Sequence, residues 1–291
     1  MCEWWAHPEW RLCPAGLAYL ALPRTRGVSV HAEPVPELAA AASAPPRWLV
    51  APADPGSSRA FDLPVPWLDG AISVRTWSPA GAADDEPLPL LLVHDGPEYD
   101  ALASLTRYLA AGIAGNWLPR LRAALLGPGS RDRWYSANPR YARALRCAAI
   151  PALAGQLATT VRVGMGASLG GLAMLHAHCR YPDAFDALFL QSGSFFCPRF
   201  DDHERRFPYY QRIVAFVAAV HGGSLPSRPV PVALTCGAME ENAENNRAMA
   251  RALRAQGCQL TLREVPDLHN FTAWRNALDP DLTRLLQLVS R

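Results

Sequence analysis

The chain contains no lysine: all 28 of its basic residues are arginine, set against 26 acidic residues for a formal net charge of +2. There is no basic run either, so the electrostatic footprint of a nucleic-acid partner is missing. An arginine-only skew beside 27 prolines and abundant alanine reads as a high-GC coding bias. Paired cysteine motifs are also absent. Cys2, Cys13, Cys147, Cys179, Cys197, Cys236 and Cys258 are odd in number and scattered, which excludes a zinc knuckle and a disulfide framework and points to a reducing, cytoplasmic setting. The longest early apolar run, "AGLAYLALP", is too short for a membrane span, and it lacks a basic lead and a small-residue cleavage site. Neither membrane association nor export is expected. Residues 1–56 show no sustained periodicity, and "PVPELAAAASAPP" has the composition of a tether, so this stretch is expected to be an irregular or disordered lead.

What is present begins at residue 57. Half of the residues are hydrophobic, enough to bury the core of one domain over residues 57–291. "FDLPVPWLDGAISVRTW" predicts a hairpin turning at Asp69 and Gly70, with Ile72, Val74 and Thr76 on one face and Ser73, Arg75 and Trp77 on the other. Near-continuous apolar runs then alternate with helical stretches: "PLPLLLVHD", a helix over 101–115, "LRAALLG", a helix over 141–157 interrupted at Pro151, "TVRVGM", "FDALFLQSG", a helix over 209–221, "PVPVALTCG", a helix from 243, "QLTLREVP", and a closing helix after Asp279 and Pro280. Strands buried on both faces and separated by helices imply an α/β fold: a mostly parallel central sheet with helices on both faces and an antiparallel edge hairpin.

Within "TVRVGMGASLGGLAMLHAHC", Ser168 has glycines two residues to either side, between a β-branched strand and a helical pattern. That is the context of a nucleophile elbow, in which a strand reverses into a helix too sharply for side chains at Gly166 and Gly170. A serine hydroxyl needs a histidine to take its proton and a carboxylate to orient that histidine. His269, in "VPDLHNFTAW", follows the last strand and is the expected base, whereas His176 and His178 sit on the helix leaving the elbow. Glu240 is the favoured acid, three residues past Gly237, with Glu241 and Glu244 as competitors and Asn242 as a helix cap. One oxyanion donor is the backbone N–H of Leu169. The other comes from "VHDGPEYD", where Pro97 has no N–H, leaving Gly96, Glu98 or Tyr99; Gly96 is taken as the candidate. The triad itself generates the nucleophile, so no metal or cofactor is called for.

With "LLLVHDGPEY", "RDRWYSANPRYARAL", "GASLGGLAMLHAH", "FLQSGSFF", "CGAMEENAENNRAMARAL" and "HNFTAWRNAL" together, residues 57–291 resemble the esterase family that contains the enterochelin (ferric enterobactin) esterases, with esterase D and the antigen 85 mycolyltransferases as more distant relatives. The resemblance implies an α/β-hydrolase fold, with Ser168 as nucleophile, His269 as base and, less directly, Glu240 as acid. There are three departures. The irregular residues 1–56 cannot supply the N-terminal β domain of the larger enterochelin esterases. The export signal of secreted mycolyltransferases is missing, and Pro97 stands where the antigen 85 type of loop has an oxyanion donor.

Arg131, Trp134 and Tyr135 in "SRDRWYSANPRY" are candidate substrate contacts, an arginine for an anionic group and flat rings for apolar contact; equally, they lock their loop onto the next helix. "SFFCPRFDDHERRFPYYQR" is a candidate covering segment. The expectation is a serine esterase acting on a small-molecule ester through an acyl-enzyme. An acyltransferase with the same triad and a catalytically silent binding protein are the alternatives.

Overall fold

The computed structural model describes residues 45–225 and 228–290. Eight strands form one sheet: β1 (Ser57–Pro64), β2 (Ala71–Ser78), β3 (Leu88–His94), β4 (Arg122–Leu126), β5 (Thr159–Ala167), β6 (Ala187–Gln191), β7 (Val232–Gly237) and β8 (Leu260–Val265), in the order β1-β2-β4-β3-β5-β6-β7-β8. β1 pairs antiparallel with β2, and β2 antiparallel with β4; the remaining pairs are parallel. The expected architecture, a parallel sheet opened by an antiparallel edge hairpin, is the one observed.

The helices follow as α1 (Gly96–Ala103), α2 (Leu105–Ala114), α3 (Arg131–Tyr135), α4 (Pro139–Ala144), α5 (Ile150–Ala154), α6 (Leu169–Arg180), α7 (Tyr210–His221), α8 (Ala243–Ala255), α9 (Phe271–Asn276) and α10 (Thr283–Val289). Strand alternation sorts the central apolar residues into two cores. Leu90, Leu92, Ala124 and Leu126 pack toward Tyr141, Leu172, Ile213 and Met249, while Leu91, Val93, Ala123 and Leu125 pack toward Tyr99, Leu109 and Leu286. Both faces are therefore covered, which is why β3, β4, β6 and β7 read as near-continuous apolar runs.

Three details differ from the sequence expectation. The helix expected over 101–115 is two helices, broken at Ser104 in the left-handed region (φ 54°). Asp100 explains the break: its Oδ1 accepts from the backbone N–H of Thr106 at 3.0 Å and from that residue's hydroxyl, capping α2 from outside. Between α4 and α5 the helix widens to a π turn over Leu145–Ala149, accommodating Pro151, which has no N–H to give. Trp77, on the hairpin face opposite Ile72, is buried as well. Trp48, on a short turn at Arg47–Leu49, joins it in the same core, and Pro55 O accepts the Trp77 indole N–H at 2.7 Å. Residues 45–56 of the expected lead thus contribute to the core; residues 1–44 lie outside the described residues.

Candidate active site

Ser168 stands at the C-terminal end of β5, with φ 56° and ψ −126° before the first residue of α6. A side chain with φ in this region is strained, so its surroundings must hold it. Two backbone bonds, one to the last residue of β6 and one from the loop after it, do so: Ser168 N–H donates to Gln191 O at 2.9 Å, and Ser194 N–H donates to Ser168 O at 3.1 Å. Contact requires glycine at Gly166 and leaves little room at Gly170. A Cβ on Gly166 would lie 2.5 Å from Gly170 C, and one on Gly170 would lie 3.1 Å from the His94 Cβ.

Glu240 follows β7 and His269 follows β8, neighbouring strands, and the Glu240 Oε2 accepts from His269 Nδ1 at 3.0 Å. Gly237 lets the two loops meet, since a Cβ there would lie 2.3 Å from Asp267 O. The Glu240 side chain is 1% exposed. Its Oε1 accepts from the Ser192 hydroxyl at 2.7 Å and the Gly237 N–H at 2.8 Å, and the Cys236 thiol points at Oε2 from 3.5 Å. Burial pushes the carboxyl up, but the His269, Ser192 and Gly237 partners outweigh it and hold the group below its ordinary value. Asn270 caps α9 by accepting from Ala273 N–H at 2.9 Å, fixing the turn that carries His269. Trp274, one turn on, packs against the imidazole in a T-shaped arrangement with ring centres 5.0 Å apart.

The competing acids are placed elsewhere. Glu241 is a surface residue 3.4 Å from His203, and Glu244 pairs with Arg247. Asn242 precedes α8, yet its side chain does not cap that helix. Its amide instead donates to Ser192 O at 2.9 Å, and Asn246 binds both backbone groups of Gly193. Ser192 and Ser194, which the sequence reading passed over, are held in the site by this clamp. Ser194 Oγ lies 3.1 Å from Ser168 Oγ, and among the described residues Ser168 forms no hydrogen bond to His269. The signal for the two serines was the repeated small residues in "QSGSFF" directly after a strand.

The N-terminal ends of α1 and α6 lie close together, the Cβ position of Gly170 falling 3.2 Å from Asp95 Oδ2. Gly96 and Leu169 are their first residues, so neither N–H has an acceptor within its own helix. The Tyr99 N–H donates to Asp95 O at 2.9 Å, which removes it from the three donor candidates in this loop. His94 ties the two termini together: its Nδ1 meets Gly170 O at 2.9 Å and its Nε2 meets the Tyr141 hydroxyl at 3.0 Å. Burial lowers the His94 pKa to about 4, so the ring is neutral at pH 7 and works as a tether. A Cβ on Gly96 would lie 2.4 Å from Leu125 Cα, so glycine is needed for α1 to start this close to the sheet.

The three candidate substrate contacts sit on one loop. Trp134 and Tyr135 are buried, Trp134 stacked on Tyr141 and Tyr135 on His94. Arg131 donates from Nε and Nη2 to the two oxygens of Asp95, each at 2.9 Å. These contacts hold the loop over the end of β3, the second of the two expectations for these residues. As for metal-type donors, His203, Glu204 and Glu241 bring ligand atoms within 4.8 Å of one another. Two of the three are solvent-exposed, and nothing marks the group as more than a charged surface cluster.

Residues 67–285 match the Esterase family, whose description is "Putative esterase". The chain belongs to this family. Among relatives, the iron(III) enterobactin esterase of Dickeya dadantii (strain 3937) is 28% identical over 218 residues, covering 70% of this chain and 49% of that protein. This member of the family thus spans about half the length of that relative. The solved enterobactin esterase of Shigella flexneri aligns at a TM-score of 0.71 with 19% identity, over 84% of this chain and 63% of the other. A ferulic acid esterase aligns at 0.66 with 16% identity, over 80% of this chain and 97% of the other. At these identities the solved structures speak to the fold alone, an α/β fold with a mostly parallel sheet. Among the described residues no helix is long and apolar enough to cross a membrane.

Proposed function

We propose that this Esterase-family chain hydrolyses a small-molecule carboxylic ester with Ser168 as nucleophile, His269 as base and Glu240 as the orienting acid. The observation that carries the reading is the buried Glu240 carboxylate hydrogen-bonded to His269 Nδ1 at 3.0 Å, on the sheet end that also carries the strained Ser168. With its Nδ1 proton held by Glu240, the imidazole presents Nε2 as an acceptor. The Ser168 O–H hydrogen turns from Ser194 toward His269 to start the reaction, with Oγ kept against Ser194. His269 takes the proton as Oγ attacks the carbonyl carbon, and the oxyanion develops beside the N–H groups of Leu169 and Gly96, at the positive ends of two helices. The leaving alkoxide takes the proton from His269. Water, activated by the same imidazole, then releases the acid and restores Ser168.

Free thiols at Cys147, Cys179, Cys197, Cys236 and Cys258 suit a reducing, cytoplasmic setting, which belongs to the same proposal. The first substrates to test are short-chain aryl esters, with catecholate siderophore esters added because the relative from Dickeya dadantii is named for iron(III) enterobactin. The decisive variant is Ser168→Ala. It is expected to abolish hydrolysis of 4-nitrophenyl acetate and labelling by a fluorophosphonate, with the thermal unfolding midpoint kept. Persistent labelling of the variant would overturn the assignment.

A further inference from the structure

The loop after β6 places a second hydroxyl against the reacting atom. Ser194 Oγ lies 3.1 Å from Ser168 Oγ, and Ser194 is almost fully buried. Its backbone is fixed as well. Ser194 N–H donates to Ser168 O, and the preceding Gly193 is bound at both its N–H and its C=O by Asn246. A Cβ at Gly193 would lie 2.3 Å from the Phe195 ring, so the loop has one tight path past the nucleophile. The same three-residue segment carries Ser192, whose hydroxyl donates to Glu240 while accepting the Trp274 indole N–H at 3.0 Å. Nucleophile and acid are therefore positioned by a single clamped tripeptide.

We propose that Ser194 is a further catalytic residue, donating a hydrogen bond to Ser168 Oγ as that oxygen loses its proton. The inference rests on the reading of Ser168 as nucleophile. Ser168 has one hydroxyl hydrogen, which must point at His269 Nε2 for transfer, so in the reactive arrangement the hydrogen between the two serines belongs to Ser194. As the Ser168 proton moves to His269, negative charge builds on Oγ and the bond from Ser194 becomes charge-assisted. The Oγ lone pair then forms the bond to the carbonyl carbon, the carbonyl π pair moves to its oxygen, and Oγ becomes an ester oxygen, a weaker acceptor. Ser194 keeps its own proton throughout. The contact is strongest while Oγ carries charge, both in acylation and in the reverse charge flow of deacylation, and an interaction of that kind raises kcat.

The test compares Ser194→Ala and Ser194→Thr with the full-length wild-type chain, measuring the rate of fluorophosphonate labelling, kcat and KM for 4-nitrophenyl acetate, and the thermal midpoint. Loss of one hydrogen bond to a charged oxygen corresponds to about a 10- to 100-fold slower reaction. Ser194→Ala is expected to lose that much in labelling rate and in kcat, with KM within a factor of about two and the midpoint unchanged; Ser194→Thr, which keeps a hydroxyl, is expected to recover most of it. Labelling of Ser194→Ala within twofold of wild type overturns the role of Ser194 and leaves Ser168 standing. A wild-type chain that is not labelled at all overturns Ser168 as nucleophile and this inference with it.

Discussion

Replacing Glu240 by glutamine tests the acid through a geometric constraint. The Oε1 position receives two donors, the Ser192 hydroxyl at 2.7 Å and the Gly237 N–H at 2.8 Å, so the amide oxygen of a glutamine must occupy it. The amide NH2 is then forced into the Oε2 position, facing His269 Nδ1 at 3.0 Å. Two donors cannot share that contact, so Nδ1 must lose its proton and the ring carries hydrogen on Nε2, where it cannot accept from Ser168. The shape of the site barely changes while the tautomer is inverted and the charge opposite the imidazolium is gone. A loss of roughly 10³- to 10⁴-fold in kcat follows, equivalent to about 4–5.5 kcal/mol. The assay is steady-state hydrolysis of 4-nitrophenyl acetate across pH, run beside Glu241→Gln, whose exposed carboxyl is predicted to be dispensable. If Glu240→Gln keeps activity within tenfold of wild type, or if Glu241→Gln is the damaging change, the acid has been misassigned.

Stability is predicted to fall with acid before the carboxylates titrate. Burial lowers the pKa of His94 to about 4 and of His176 to about 3, both from 6.5, so the unfolded chain binds protons that the folded chain refuses as pH drops below 6.5. Urea unfolding should show a decline from pH 6.5 toward pH 4 whose slope shrinks by up to one proton in His94→Gln; an unchanged slope contradicts the buried neutral ring. Arg131→Met is predicted to leave Asp95, with its side chain only 7% exposed, without its bidentate partner. A loss of roughly 3 kcal/mol in chemical denaturation follows, accompanied by weaker catalysis because Asp95 precedes α1. A variant as stable as wild type would show that this pair does not hold the loop.

The strand and helix sequence was legible because its signals are local. The apolar runs of β3, β4, β6 and β7 reported burial on both faces, and the glycines around Ser168 reported an elbow, since a Cβ at Gly166 has no space whatever the distant partners are. Spacing and order also singled out Glu240 and His269, because loops after successive parallel strands emerge on one edge of the sheet. The breaks at Ser104 and over Leu145–Ala149 were less legible, as a side-chain cap from Asp100 and a tolerated proline leave little mark on apolar periodicity.

The residues that sequence left open were those whose surroundings depend on which loops meet. Arg131, Trp134 and Tyr135 have the residue types of a binding surface, but the loop carrying them folds over β3, where Asp95 takes the guanidinium and Tyr141 and His94 take the rings. Asn242 has the residue type of a helix cap, and packing of the β6 loop against α8 turned its amide to Ser192 instead. Serines are common and individually uninformative, so only the approach of two loops distant in sequence distinguishes Ser192 and Ser194 from any others. Local sterics and burial periodicity, written into neighbouring residues, determined the sheet, the elbow and the order of its partners. The hydrogen-bonded surroundings of those partners were decided by tertiary structure, because a polar side chain is satisfied by whatever the fold brings within about 3 Å of it.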